Sequence, residues 1–336
     1  MKITAQSPCR VDLAGGTLDI WPLYLYHTSA VTVNFAVNRY TSCELTTRDD
    51  SRIVLRSADQ RGEETFESLD ALRRAPKYKL PLLAYVVRFF APTCGLELST
   101  HSEAPSGAGI SGSSSLIITI ASALNKLVGT GYSIEKIREI SQNIEAQIIR
   151  VPTGCQDYYP AMYGGVSAIE LGAAGIARKA IPVDLSDLNE RFVLAYTGEP
   201  RNSGINNWEV TKAHINGDMA VRRNFDRIAG IAAGMRSALE QANWGEAARL
   251  LREEWTNRKK NAPGITTPLI DRLIECTRKN GATGAKVCGA GGGGCVLFLV
   301  ERGAQARVSA LIAAAGGEVL PVQVAPRGVR VKVQAV

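Results

Sequence analysis

Residues 95–102 (GLELSTHS) alternate apolar and polar side chains, which predicts a half-buried strand, and residues 116–128 are apolar at nearly every position, which predicts a largely buried helix. Between them, residues 105–115 (PSGAGISGSSS) carry no periodicity. An amphipathic helix is predicted over 133–150, with Ile134, Ile137, Ile140 and Ile144 on one face, Ser133 as cap and Pro152 just past its end. A helix is also expected over 80–90, strands over 30–37, 166–170 and 192–196, and polar loops with edge strands over 49–79. Three long helical stripes of Leu, Ile and Ala follow at 218–242, 244–260 and 268–280, and they read as core packing. Two apolar strands then bracket a run of glycines between 284 and 300. The polar stretch at 184–190 marks the expected domain boundary, giving domains over 1–185 and 186–336.

Composition narrows the classes. The 336 residues are 45% hydrophobic and 21% charged, enough for one large or two medium globular domains with no sign of disorder. The net charge of +7 is scattered, with no basic run longer than Arg258-Lys259-Lys260. It suits an acidic substrate such as a nucleotide or sugar phosphate as well as it suits generic surface charge, and it lacks the basic stripe with interleaved aromatics of a nucleic-acid partner. With no leader pattern and no membrane-length apolar run, a soluble, cytoplasmic protein without a membrane partner is expected. The seven cysteines include no C-x-x-C pair and fit reduced thiols, with Cys155 packed and not nucleophilic. His27, His101 and His214 are too widely separated to suggest zinc.

The chemistry concentrates in the aperiodic stretch. Three glycines let the backbone approach a ligand, the serines suit the first turn and cap of a helix, and free N–H groups at a helix start favour phosphate. A simple Gly/Ser turn capping the helix is the plain alternative. Gly107-Ala-Gly109-Ile-Ser-Gly112 also matches the dinucleotide pattern G-x-G-x-x-G, but the strand before it alternates and no apolar strand ending in an acid follows at the required distance. Ser113-Ser114-Ser115 instead suit a nucleotide with bound Mg²⁺, which prefers oxygen ligands.

Residues 105–115 resemble the central motif of the GHMP small-molecule kinases, P-x-G-x-G-L-[GS]-S-S, with Gly112 standing where a serine is usual. Near the N-terminus, Pro8, Arg10, Gly15 and Asp19 fill the places of that family's first motif, and residues 284–300 (GAKVCGAGGGGCVLFLV) resemble its third. The segment around Gly154, Gln156, Asp157 and Tyr159 and the loop 197–203 are similar to the branch that phosphorylates D-glycero-D-manno-heptose 7-phosphate, although Cys155 replaces that branch's lysine. Taken as residues alone, Gly15-Gly16 can be a turn with Asp19 its cap, Asp157 a turn former and Glu145 a solvated carboxylate.

The resemblance implies an α+β fold of two domains, an N-terminal one like ribosomal S5 domain 2 and a C-terminal ferredoxin-like one, with ATP and substrate between. It implies that Pro105, Ser106, Gly107, Ala108, Gly109, Ile110, Ser111, Gly112, Ser113 and Ser114 hold the triphosphate, and that Ser113 with Glu145 binds Mg²⁺. Asp157 would act as base or orienting carboxylate and Arg10 as its electrostatic partner. Asp19, Gly15, Gly16, Thr17, Gln156, Arg201, Gly291 and Gly292 would face a sugar or sugar phosphate, foremost the anomeric hydroxyl of the heptose 7-phosphate. Fucose, galactose or a uronic acid remains open as acceptor, as do an NAD-dependent oxidoreductase resting on G-x-G-x-x-G and a non-catalytic sugar sensor. A homo-oligomer is left open as well.

Overall fold

The computed structural model describes residues 1–200, 203–261 and 263–334. Strands β1 (Lys2–Ala14), β2 (Val31–Arg48), β3 (Ile53–Ser57), β4 (Gly62–Phe66), β5 (Gly95–Ser102), β6 (Val166–Gly172) and β7 (Gly175–Ala180) belong to one sheet. Strands β8 (Phe192–Tyr196), β9 (Ala282–Val287), β10 (Cys295–Val300) and β11 (Glu318–Leu320) form a second, in the order β11-β8-β10-β9. The final strand, β12 (Arg330–Gln334), returns to the first sheet, antiparallel to β1, so that its order is β12-β1-β2-β5-β3-β4 with β6 and β7 branching from β2. The chain thus crosses to its second sheet at β8 and recrosses at β12.

Six helices accompany the first sheet or lead away from it: α1 (Leu69–Arg74), α2 (Pro81–Phe90), α3 (Gly112–Val128), α4 (Ile134–Ile149), α5 (Tyr159–Tyr163) and α6 (Leu185–Asn189). Helices α7 (Ser203–Ile215), α8 (Met219–Glu240), α9 (Trp244–Arg258), α10 (Pro268–Arg278) and α11 (Gln305–Ala314) follow. Helix α3 packs on β1, β2, α2 and α4, and its residues from Ser114 to Leu124 are all buried. That all-round burial explains why its sequence shows almost no polar face. Each fully buried Ile or Leu there contributes about 1.5–3 kcal/mol. Ser133 caps α4 as expected, its hydroxyl accepting from the Lys136 N–H.

Strand β1 escapes a reading by alternation because its surroundings change midway. Its first residues alternate, but Ser7 to Ala14 are all buried. A register shift against β2 between Pro8 and Cys9 marks the change, as a bulge beside a proline does. Beyond it Cys9, Val11 and Leu13 pack in a core shared with α8, α9 and the second sheet, while the strand's other face carries Arg10 and Asp12, both buried. Strand β2 likewise runs to Arg48, well past residue 37, since its far half pairs with β5 along the whole of that strand.

Candidate active site

A cleft of about 300 Å³ opens between the two sheets, lined by β1 and the turn after it, residues 104–114, the loop after α4, Asn207, Arg258, Gly289 and Ala290. The stretch between β5 and α3 forms one wall. Gly107 and Gly109 have φ of +68° and +78°, conformations a side chain would strain, and they let the chain double back into the helix start. Ser111 stands at the cap of α3 with φ of +60°, but its hydroxyl makes no cap bond and is buried without a partner. The serines therefore do not cap this helix in the way expected. A Cβ at Gly112 would stand 3.2 Å from that of Ala104, which gives the unusual glycine a packing reason.

Glu145, buried on α4, accepts from Ser113 Oγ at 2.6 Å, from Ser114 Oγ at 3.0 Å and from the Tyr158 hydroxyl. Burial raises its pKa, the hydroxyls offset that in part, and nearby Asp157 adds to the rise. The carboxylate so held beside the start of α3 has only neutral donors among these partners, and the oxygen set suits a hard cation such as Mg²⁺.

The floor of the cleft is ionic. Arg10 donates through Nη1 to Asp12 Oδ1 at 2.7 Å and through Nη2 to Asp157. Burial opposes the arginine's charge, but Asp157 and Asp12 more than compensate and hold it protonated. Burial would also raise the Asp12 carboxyl; Lys286, then Arg10 and Arg258, pull it far below the usual carboxylate range. Asp12 further accepts from the Gly289 N–H at 2.9 Å, which ties the glycine loop to β1. From α9, Arg258 donates to Glu254 at 2.7 Å and to the Gly16 carbonyl at 2.9 Å. Removing one partner from so buried a set costs about 3–5 kcal/mol.

Asp19 sits across from Asp157. Its Oδ2 accepts the Gln156 N–H at 2.8 Å, and a Cβ on Gly154 would meet that oxygen at 2.1 Å, so only glycine permits the approach. Burial pushes the Asp19 pKa up to about 6, with the charge of Asp157 adding to the rise. Cys155 is wholly buried and its pKa is driven well above the ordinary thiol value by burial, which leaves it inert.

The structure brings together Arg10, Asp157, Asp19, Gly16, Thr17, Gln156, Ser113, Glu145 and residues 105–114 around one cleft. Gly15, Gly291 and Gly292 lie outside its lining. Gly15 is pressed on the Val31 carbonyl, and Gly291 on Ile265, whose carbonyl accepts the Gly292 N–H at 2.8 Å, so the loop reaches the cleft through Gly289 and Ala290 instead. Arg201 lies outside the described residues. Sequence reasoning missed Asp12, Asn207, Glu254, Arg258 and Lys286. A lysine inside the strand ATGAKV and an aspartate two residues beyond Arg10, hence on its face of β1, were the available signals.

Among the described residues no helix is long and apolar enough to cross a membrane, and no group of three or more His, Cys, Asp or Glu could by itself hold a metal ion. The model of the GHMP kinases N terminal domain matches residues 78–165, and that of the GHMP kinases C terminal region matches 235–316. A D-glycero-alpha-D-manno-heptose 7-phosphate kinase of Campylobacter jejuni is 27% identical over 313 residues, covering 89% of each chain. A crystal structure of a D-glycero-D-manno-heptose 1-phosphate kinase from Bacteroides thetaiotaomicron superposes with a TM-score of 0.79 at 22% identity, covering 99% of this chain and 100% of the other. A Lactococcus lactis galactokinase in complex with galactose gives 0.83 at 19% identity, covering 98% and 95%. With both halves matched and the cleft lying between them, the chain belongs to the GHMP kinases, two-domain α+β phosphotransferases that use ATP.

Proposed function

We propose that the protein is a sugar kinase that moves the γ-phosphoryl group of ATP to the anomeric hydroxyl of a heptose 7-phosphate. The observation that carries this reading is the convergence, in one cleft, of the phosphate loop, the Ser113–Glu145 pair and the Arg10–Asp157–Asp19 cluster. The heptose 7-phosphate kinase similar over 89% of the chain supports the choice of acceptor. Seven cysteines without a C-x-x-C pair agree with work in the cytoplasm.

In this reading the N–H groups of residues 107–113 bind the triphosphate at the start of α3. Ser113 and Glu145 would hold Mg²⁺, which when bound neutralises phosphate charge. Asp19 accepts hydrogen bonds from sugar hydroxyls, and Gln156 holds Asp19 in place through its backbone N–H. Asp157 orients the attacking hydroxyl and takes its proton as the oxygen–phosphorus bond forms and the bond to the β-phosphate oxygen breaks. Arg10 pairs with Asp157 and stabilises charge on the transferring group. Phosphoryl transfer asks mainly for such positioning and charge neutralisation.

The test is mass spectrometry of products after incubation with Mg-ATP and a panel of acceptors: heptose 7-phosphates, fucose, galactose and uronic acids. A heptose bisphosphate with matching loss of ATP is expected. A phosphorylated product from another sugar alone would replace the acceptor, and no transfer to any would overturn the kinase reading in favour of a sugar sensor.

A further inference from the structure

Lys286 touches neither the phosphate loop nor the acceptor side of the cleft, yet its side chain is fully buried, on the face of β9 opposite Ala285 and Val287, which belong to the second domain's core. Desolvating an ammonium is costly unless it is well paired. Its Nζ donates to Asp12 Oδ2 and, at 3.2 Å, to the Asp12 carbonyl oxygen. The other carboxylate oxygen of Asp12 receives Arg10 Nη1 and the Gly289 N–H. Arg10 Nε is buried without an acceptor, so the orientation of the guanidinium rests on Asp12 at one end and Asp157 at the other.

We propose that Lys286 is a positioning residue for phosphoryl transfer, acting through Asp12 to hold the Arg10 fork in register with Asp157. The inference rests on the kinase reading of the cleft. Its logic is a competition between two carboxylates for one arginine. The Asp12 side chain is fully buried, whereas that of Asp157 is 25% exposed. An ion pair away from water has the lower effective dielectric and the stronger attraction, so an Asp12 without Lys286 would draw the guanidinium to itself. Lys286 satisfies Asp12 from the far side and leaves the Arg10 Nη2 group for Asp157. The second domain thereby sets the geometry of an arginine that belongs to the first, and the Gly289 contact registers the glycine loop on the same carboxylate.

The test pairs a crystal structure of Lys286→Met with kinetics on Mg-ATP and the heptose 7-phosphate. The expected result is an Arg10 turned onto Asp12 and withdrawn from Asp157, with kcat lowered about tenfold or more and both KM values within about twofold of wild type. Lys286→Arg should recover most of kcat and the contact to Asp157. An Arg10 still bridging both carboxylates in Lys286→Met, an unchanged kcat, or a parallel loss of kcat, substrate affinity and thermal stability would overturn the proposal. Should Lys286→Met not fold, Asp12→Asn, which keeps the shape and an acceptor oxygen, carries the same split between kcat and KM, and an unchanged kcat there is equally fatal. If the wild type phosphorylates no acceptor, the kinase reading fails by itself, and the position of Arg10 in the variant crystal still decides the structural claim.

Discussion

Arg10 and Asp157 form an ion pair across 147 residues of sequence, joining the first strand to the loop after α4 at the floor of the cleft. In the proposed reaction the pair fixes the Asp157 carboxylate beside the acceptor hydroxyl. Asp157→Asn keeps the shape and removes the charge. Turnover should fall about 10²–10⁴-fold, the span that a positioned acid or base provides. Nucleotide affinity, measured by isothermal titration with the non-hydrolysable ATP analogue, should stay within about twofold. Unchanged turnover would remove Asp157 from the transfer step.

The raised pKa of Asp19, about 6, predicts two pH effects of opposite sense. As an acceptor of sugar hydroxyls the group must be ionised, so acceptor KM should climb as pH drops below about 6 while the KM for ATP stays flat, and Asp19→Asn should abolish that climb. Stability runs the other way. A carboxyl whose pKa rises from 3.8 to about 6 on folding binds its proton more tightly in the native state, so its contribution is intact below pH 3.8 and is lost as pH rises through 6. Relative to wild type, Asp19→Asn should therefore gain thermal stability at pH 8 that it does not gain at pH 4. A pH-independent difference in melting temperature would reject the assignment.

Much of this site was readable without coordinates because its parts are local. Residues 105–115 announce a backbone cradle through glycine and serine spacing, and strand Gly95–Ser102 and the helix capped by Ser133 follow from periodicity and cap chemistry. What stayed hidden depends on contacts between distant segments. Asp12 becomes a hub only when β9 delivers Lys286 and the glycine loop delivers Gly289, and nothing near residue 12 encodes either. Gly291 and Gly292 read as ligand contacts for the inverse reason: glycine permits close approach without saying to what, and here the neighbour is Ile265. Strand β1 was obscured by its two-sided burial, which erases alternation.

Burial disfavours the ionised form of Glu145, and its hydroxyl donors offset that only in part. Glu145→Gln should raise the Mg²⁺ concentration for half-maximal turnover about tenfold or more, in line with losing a metal-site carboxylate. In EDTA the same variant should melt at a higher temperature than wild type, because its side chain no longer carries a charge that burial penalises. A variant less stable in EDTA and unaltered in Mg²⁺ dependence would make Glu145 a structural anchor for α3 and not a metal ligand.

Gly294 tests how the second domain supports the proposed nucleotide wall. Its φ is +79°, and a Cβ there would stand 2.7 Å from the Ala108 carbonyl oxygen and 3.1 Å from that of Gly107, both in the proposed phosphate loop. The same Ala108 carbonyl accepts the Cys295 N–H at 2.7 Å, so the two loops cannot separate without losing a hydrogen bond. Gly294→Ala should push the phosphate loop outward and raise the KM for ATP about tenfold or more, since displacements of a fraction of an ångström are costly in a pre-formed site. Gly165→Ala separates this effect from backbone strain. Its φ of +65° imposes a comparable penalty of about 1–2 kcal/mol, but nothing lies within 4 Å of the added carbon. Gly165→Ala should lower the melting temperature and leave the KM for ATP unchanged. Equal effects of the two substitutions on nucleotide KM would mean that the glycine loop acts through general stability, whereas an effect confined to Gly294→Ala would make the contact with Ala108 the support of the ATP site.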